Sequence, residues 1–170
     1  MDGSWAESGS FCLLEYPVRE LEGKTLGIVG AGDLGKGAAK IAQAFGMRVI
    51  YAALSGRTYT DDLPRVELNR LLPMVDILSL HCPFTPQTKN LISSSELALM
   101  KDSALLINTA RGPLIDEPAL KQALINGEIA GAGLDVLSVE PPVEGNVLID
   151  SAVPNLIITP HSAWIAVESR

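Results

Sequence analysis

Leu26-Gly27-Ile28-Val29-Gly30-Ala31-Gly32-Asp33-Leu34-Gly35 is the stretch that decides the fold. Leu26, Ile28 and Val29 form the short apolar run that a buried parallel strand needs. Gly30, Gly32 and Gly35 follow with the spacing G-x-G-x-x-G. A helical pattern starts at once, with Leu34, Ala38, Ile41, Ala42 and Phe45 on one face and Gly46 as its stop. A second apolar strand, Met47 to Ala53, comes next. Strand, glycine turn and helix together are the setting in which this spacing holds the phosphates of a dinucleotide. Gly30 permits the tight turn, Gly32 lets a pyrophosphate approach the backbone, and Gly35 lets the helix lie close on the strand. The helix N-terminus adds N–H groups and a partial positive charge.

The chain has 170 residues, 47% hydrophobic and 19% charged, which is enough for one domain with a sizeable core. Its net charge of -7 argues against a nucleic-acid-binding surface. No apolar run is long enough to span a membrane, and Met1 to Trp5 lacks the pattern of a signal peptide. Cys12 and Cys82 form no C-x-x-C, no disulfide framework and no metal site, so a cytoplasmic setting is the simplest expectation.

Residues 1–22 carry no period and read as an irregular lead, with Trp5 and Phe11 as anchors and the chain starting inside something larger. Residues 23–170 read as one domain. After the second strand, a polar loop leads to a short helix, Glu67 to Leu72, ended by Pro73. Four more strands are expected over Asp76 to Leu80, Ala104 to Asn108, Ala130 to Val136 and Leu156 to Thr159. Between them lie a helix from Ser93 to Met100, opened by a Ser93/Glu96 capping box, and a helix capped by Asp116 and ended at Asn126-Gly127. A last helix is expected to start at His161-Ser162-Ala163-Trp164. This alternation predicts an α/β, doubly wound parallel sheet with ligands at the carboxyl ends of its strands.

Arg111, Glu140 and His161 each follow a different strand and can therefore converge on one mouth. An arginine grips a carboxylate bidentately, a histidine passes a proton near neutral pH, and a carboxylate orients the ring. On spacing alone, each has an ordinary reading as well: a surface cation, a loop charge before two prolines, and a loop histidine.

The runs Asn108-Thr109-Ala110-Arg111-Gly112, Gly133-Leu134-Asp135-Val136, Glu140-Pro141-Pro142 and Thr159-Pro160-His161, in this order, strongly resemble the D-isomer-specific 2-hydroxyacid dehydrogenases. His81-Cys82-Pro83 with Thr85 and Thr88 resembles that family's loop after the third strand. The resemblance spans Leu21 to Arg170, and Met1 to Phe11 resembles family sequence just upstream. It implies a Rossmann-type cofactor domain, NAD or NADP as cofactor, and a small 2-hydroxy or 2-keto acid as substrate. It also implies a homodimer and a separate substrate domain outside this chain. Arg111 is then the substrate-carboxylate residue, His161 the acid/base and Glu140 its support. The implied cofactor contacts are Gly30, Gly32, Asp33, Leu34, Gly35, Cys82, Pro83, Thr88, Thr109, Ala110, Arg111, Asp135 and His161, with Asp135 holding the nicotinamide carboxamide. Leu54-Ser55-Gly56-Arg57 and His161-Ser162-Ala163-Trp164 resemble the glycerate dehydrogenase (hydroxypyruvate reductase) subgroup, although Trp164 also reads as a core aromatic. Two other outcomes stay open: a non-enzymatic dinucleotide-sensing module of the corepressor type, and a phosphonate or formate dehydrogenase relative.

One departure bears on the cofactor. NAD-binding domains place an Asp or Glu about twenty residues beyond the glycine turn to accept from the ribose 2′-OH. Here that position is Ala53, and Arg48 to Thr60 contains no acid. Ser55 and Arg57 follow it and offer a donor and a cation to a 2′-phosphate. The alternative is that Arg57 is a solvated loop residue and Ala53 tolerates both cofactors.

Overall fold

The computed structural model describes residues 4–12, 18–150 and 152–169. One helical turn, Ser4–Glu7 (α1), precedes the sheet. The elements then run Thr25–Val29 (β1), Asp33–Ala44 (α2), Arg48–Ala53 (β2), Arg65–Glu67 (β3), Leu68–Leu71 (α3) and Ile77–Leu80 (β4). Ser94–Leu97 (α4), Leu105–Asn108 (β5), Glu117–Asn126 (α5), Gly131–Leu134 (β6) and Leu156–Ile158 (β7) complete them. Short 3-10 turns lie at Leu72–Met74, Gly112–Leu114 and Val167–Ser169.

All seven strands form one sheet in the order β3-β2-β1-β4-β5-β6-β7, and every pairing is parallel. The chain winds outward from β1 through β2 to β3, crosses back to β4, and winds outward the other way. The strand order therefore reverses between β1 and β4, where such sheets open a crevice at their carboxyl ends.

A small core lies under α2, built from Leu26, Ile28, Ala39, Ala42 and Met47. A larger one includes Leu71, Leu78, Leu80, Ile92, Leu97, Leu106, Leu114 and Leu120. β1, covered on both sides, is buried at all five positions.

The glycine turn shows why α2 sits where it does. Gly30 has φ +104°, and a Cβ there would lie 2.6 Å from the Cys82 nitrogen. A Cβ at Gly35 would lie 1.9 Å from the Gly30 carbonyl oxygen. Only glycine lets the first turn of α2 approach that closely. α2 accordingly packs through its smallest residues, Gly35, Ala39 and Ala42. This corrects the helical face read from the sequence. Leu34 (80% exposed), Ile41 and Phe45 point away from the sheet, because large side chains would hold the helix off the strand.

Other expectations also change. Where the sequence predicts polar loop and then a helix over Glu67 to Leu72, the structure has β3, Arg65–Glu67. It is a three-residue edge strand paired only with β2, too short to carry an alternating pattern. Glu67 ends it and α3 follows, and Pro73 lies inside a 3-10 turn rather than stopping the helix. The helix expected over Ser93 to Met100 is one turn, Ser94–Leu97, opened by the expected Ser93/Glu96 capping box. No helix starts at His161; the segment to Trp164 is bends and turns, because Asp135 ties down its backbone amides, as described below. Of the lead, residues 1–3 and 13–17 lie outside the described residues. Trp5 and Phe11 are exposed rather than anchoring. Among the described residues no helix is long and apolar enough to cross a membrane.

Gly35→Ala should cost at least about 2 kcal/mol of unfolding free energy, because its methyl has no room. Gly32→Ala should stay within about 1 kcal/mol, since nothing lies within 4 Å of its Cβ position. Urea unfolding of the two variants checks the contrast.

Candidate active site

At the carboxyl end of β5, Asn108 is fully buried. Its side-chain oxygen accepts from the Ala110 amide at 3.0 Å, and its amide donates to the Arg111 carbonyl at 2.9 Å. This pins the turn Thr109–Arg111 and leaves Arg111 exposed, with Nη1 donating to the Ala110 carbonyl at 2.6 Å. The next residue, Gly112, packs on another loop: a Cβ there would lie 1.9 Å from the Leu137 carbonyl carbon. The turn bearing Arg111 thus rests on the loop bearing Glu140.

At the end of β6, Asp135 gathers the segment that follows β7. Its carboxylate accepts from the Ser162 and Ala163 amides, both at 2.8 Å, and from the Thr159 hydroxyl. Its backbone carbonyl accepts from the His161 amide at 2.9 Å. His161 is held at φ +50°, a left-handed backbone uncommon for a residue with a Cβ. Its Nδ1 lies 2.7 Å from Glu140 Oε2. A carboxylate only accepts, so Nδ1 carries the proton and Nε2 is the nitrogen left to exchange one. Glu140 Oε1 is fixed in turn by the Leu137 amide at 2.7 Å. The pair is part-exposed, with His161 at 39% and Glu140 at 32%.

On the β2 side, a cleft of about 980 Å³ is lined by Ala53, Ser55, Arg57, Tyr59, Pro83 and Thr88 among others. The Leu54 amide donates to the Tyr59 hydroxyl at 2.7 Å, and Arg65 lies 4.0 Å over the Tyr59 ring while pairing with Asp61 at 2.6 Å. The loop carrying Ser55 and Arg57 is thereby folded back on β3. A second hollow of about 340 Å³ is lined by Thr109, Asp135, Thr159, Ser162 and Ala163 among others. Gly30 and Gly32 form the turn at the end of β1, and Asp33, Leu34 and Gly35 open α2. Nothing lies within 4 Å of a Cβ position at Gly32, so the backbone there is open to close approach.

Two residues of the loop after β4 have internal partners. The Thr88 hydroxyl donates to the Pro83 carbonyl at 2.9 Å and accepts from the Thr85 amide at 2.7 Å. Cys82 is buried, and burial pushes its thiol above the ordinary range. Half-buried His81, bonded to Ser79 at 2.9 Å, is held below its ordinary value by burial. Trp164 is 54% exposed and so is no core aromatic.

Sequence reading missed Asn108, Glu117, Tyr59 and Thr159 as organisers of these loops. Each is an ordinary polar residue whose partners lie elsewhere in the chain or across a turn. Only Asn108, an amide directly after an apolar strand, carried a local signal.

The sheet order, the glycine turn and the crevice define a Rossmann-type dinucleotide-binding domain. The chain belongs to the D-isomer specific 2-hydroxyacid dehydrogenase family: residues 2–163 match the model of its NAD binding domain. It is similar to a glycerate dehydrogenase of Methylorubrum extorquens, 50% identical over 98% of this chain and 52% of that protein. A hydroxypyruvate reductase of Blautia hydrogenotrophica is 43% identical over 99% of this chain and 52% of its own length. Among solved structures, a D-lactate dehydrogenase from Aquifex aeolicus complexed with NAD and lactic acid superposes with TM-score 0.84 at 34% identity. It covers 99% of this chain and 55% of that one. An acyclic imino acid reductase in complex with NADPH and D-Arg gives TM-score 0.84 at 36% identity, over 99% and 53% of the two chains. The chain spans about half the length of these relatives.

Asp135 makes the site acid-sensitive. Burial alone would raise its pKa, but the hydrogen bonds from Thr159, Ala163 and Ser162, with the charge of His161, bring it below the ordinary 3.8. A lowered folded-state pKa gives stability that is present above pH 3.8 and lost as pH falls through the folded value. Asp135→Asn should lower stability at neutral pH and flatten the decline below pH 4 or so. Unfolding curves across that range, for both proteins, measure it.

Proposed function

We propose that this chain is the cofactor-binding and catalytic half of an NAD(P)-dependent D-2-hydroxyacid dehydrogenase interconverting glycerate and hydroxypyruvate. The observation that carries this reading is the His161–Glu140 pair at 2.7 Å, beside a loop in contact with the turn of exposed Arg111. The similarity to a glycerate dehydrogenase and a hydroxypyruvate reductase supports the substrate class.

The Gly30–Gly35 turn would hold the pyrophosphate of a dinucleotide, and the Ser55/Arg57 cleft would take its adenosine. Cys82, Pro83, Thr88, Thr109 and Ala110 would flank it, and Asp135 would stand at its carboxamide end. The bound nicotinamide supplies the hydride for C2 of the 2-keto acid. Arg111 pairs with the substrate carboxylate and orients the keto group. His161, protonated on both nitrogens, gives its Nε2 proton to the carbonyl oxygen, and the 2-hydroxy acid results. Glu140 keeps the ring oriented and stabilises the imidazolium. In the reverse direction Nε2 takes the hydroxyl proton. A substrate domain outside this chain would close over the site and exclude water. A homodimer and a cytoplasmic location complete the reading.

Ala53 sets the cofactor choice. With no acid at the end of β2, nothing there repels a 2′-phosphate. Two acids line the same cleft: Glu67, paired with Arg70 at 3.5 Å, and Glu96, whose carboxylate accepts from Ser93 and Ser95. NADP(H) is therefore expected to bind at least as tightly as NAD(H). Ala53→Asp should shift the preference toward NAD(H), and Arg57→Ala should weaken NADP(H) alone. Calorimetry with both cofactors decides this; strong NAD(H) preference in the native chain would leave Arg57 without a role.

Turnover of hydroxypyruvate, glyoxylate and pyruvate by the longer protein tests the activity. His161→Ala should lower kcat roughly a hundred- to ten-thousand-fold. Arg111→Ala should raise KM and lower kcat together. Undiminished turnover in His161→Ala would sink the acid/base assignment.

A further inference from the structure

Among its described residues, the loop from Asp135 to Asn155, which joins β6 to β7, carries no helix or strand, yet it holds Glu140 against His161. One buried carboxylate from another element fastens it at two points. Glu117, the first residue of α5, is 7% exposed. Its Oε1 accepts from the Ser138 amide at 2.7 Å. Its Oε2 accepts from the Ser138 hydroxyl at 2.6 Å and from Asn146 Nδ2 at 2.9 Å. Ser138 and Asn146 lie on either side of Glu140. Capping of α5 does not require Glu117, because Asp116 already accepts from the Ala119 amide at 3.0 Å. A buried carboxylate is costly unless paired; here three donors and the positive end of α5 offset the cost.

The connection onward is short. Leu137, the residue before Ser138, donates its amide to Glu140 Oε1, and Glu140 Oε2 accepts from His161 Nδ1. Gly112 presses on the same Leu137–Ser138 peptide. We infer that Glu117 is a positioning residue: by tying Ser138 and Asn146 it places Glu140, and through Glu140 it selects the His161 tautomer with the proton on Nδ1. The inference rests on the acid/base reading of Glu140 and His161. Glu117 touches no reacting atom; it acts through the loop.

The chain has two histidines, His81 and His161, so imidazole nitrogen NMR on the whole chain resolves both. In the native chain near pH 8, His161 should show the Nδ1–H tautomer. Glu140→Ala should abolish it in favour of the Nε2–H form that free histidine prefers; a native tautomer in that variant would refute the Glu140–His161 pairing itself. Glu117→Gln keeps the volume and removes the charge. It should abolish the Nδ1–H tautomer of His161 while the His81 signals and the backbone amides of β1 to β5 stay native. A folded Glu117→Gln chain with His161 still in the Nδ1–H form overturns the inference. Should Glu117→Gln not fold, the double variant Ser138→Ala with Asn146→Ala carries the same test. Loss of the tautomer supports the tether, and its retention overturns it.

Discussion

The structure depends on a steric constraint at one peptide. The Gly30 carbonyl sits where a Cβ of residue 35 would be, so β1 and α2 meet at backbone contact. That contact brings the helix start to the edge of the sheet and points its first amides over the crevice. It also places the turn against His81 and Cys82 after β4, since Gly30 has no room for a side chain either. The reversal of strand order and the closeness of α2 are thus two sides of one arrangement, and the backbone at Gly32 stays open.

Around this frame the mouth is built by buried polar side chains, each assigned to one irregular segment. Asn108 shapes the Arg111 turn, Asp135 gathers Thr159 to Ala163, and Glu117 holds the loop of Glu140. Among the described residues no buried side-chain nitrogen or oxygen lacks a partner. Such groups are expensive when half satisfied and rigid when fully satisfied. Irregular connections at the carboxyl end of the sheet thereby become fixed platforms for exposed Arg111 and for the part-exposed pair Glu140 and His161.

What the sequence revealed follows from the range of each interaction. β1, the glycine turn, the cap at Asp116 and the stop at Gly127 are set by residues within a few positions of each other, and they stood where the pattern placed them. The buried face of α2 was misread, because hydrophobicity marks Leu34, Ile41 and Phe45 while packing distance selects Gly35, Ala39 and Ala42. β3 was missed because an edge strand of three residues draws its stability from β2 alone. Of the candidate site, the pairing of His161 with Glu140 joins two residues that the motif named. What fixes the loop of Glu140 was not legible: Glu117 meets Ser138 across 21 positions, and no local pattern announces such a bond.

The left-handed backbone at His161 has a meaning apart from chemistry. Such a conformation is tolerated readily by glycine and, among side chains, by asparagine, aspartate and histidine more than by others. Drift at position 161 is therefore channelled. Replacements that preserve the turn come from a handful of residue types, and β-branched ones are penalised before any proton is moved. A descendant that kept this fold would carry the record of that filter as a small polar residue, a histidine or a glycine at this position.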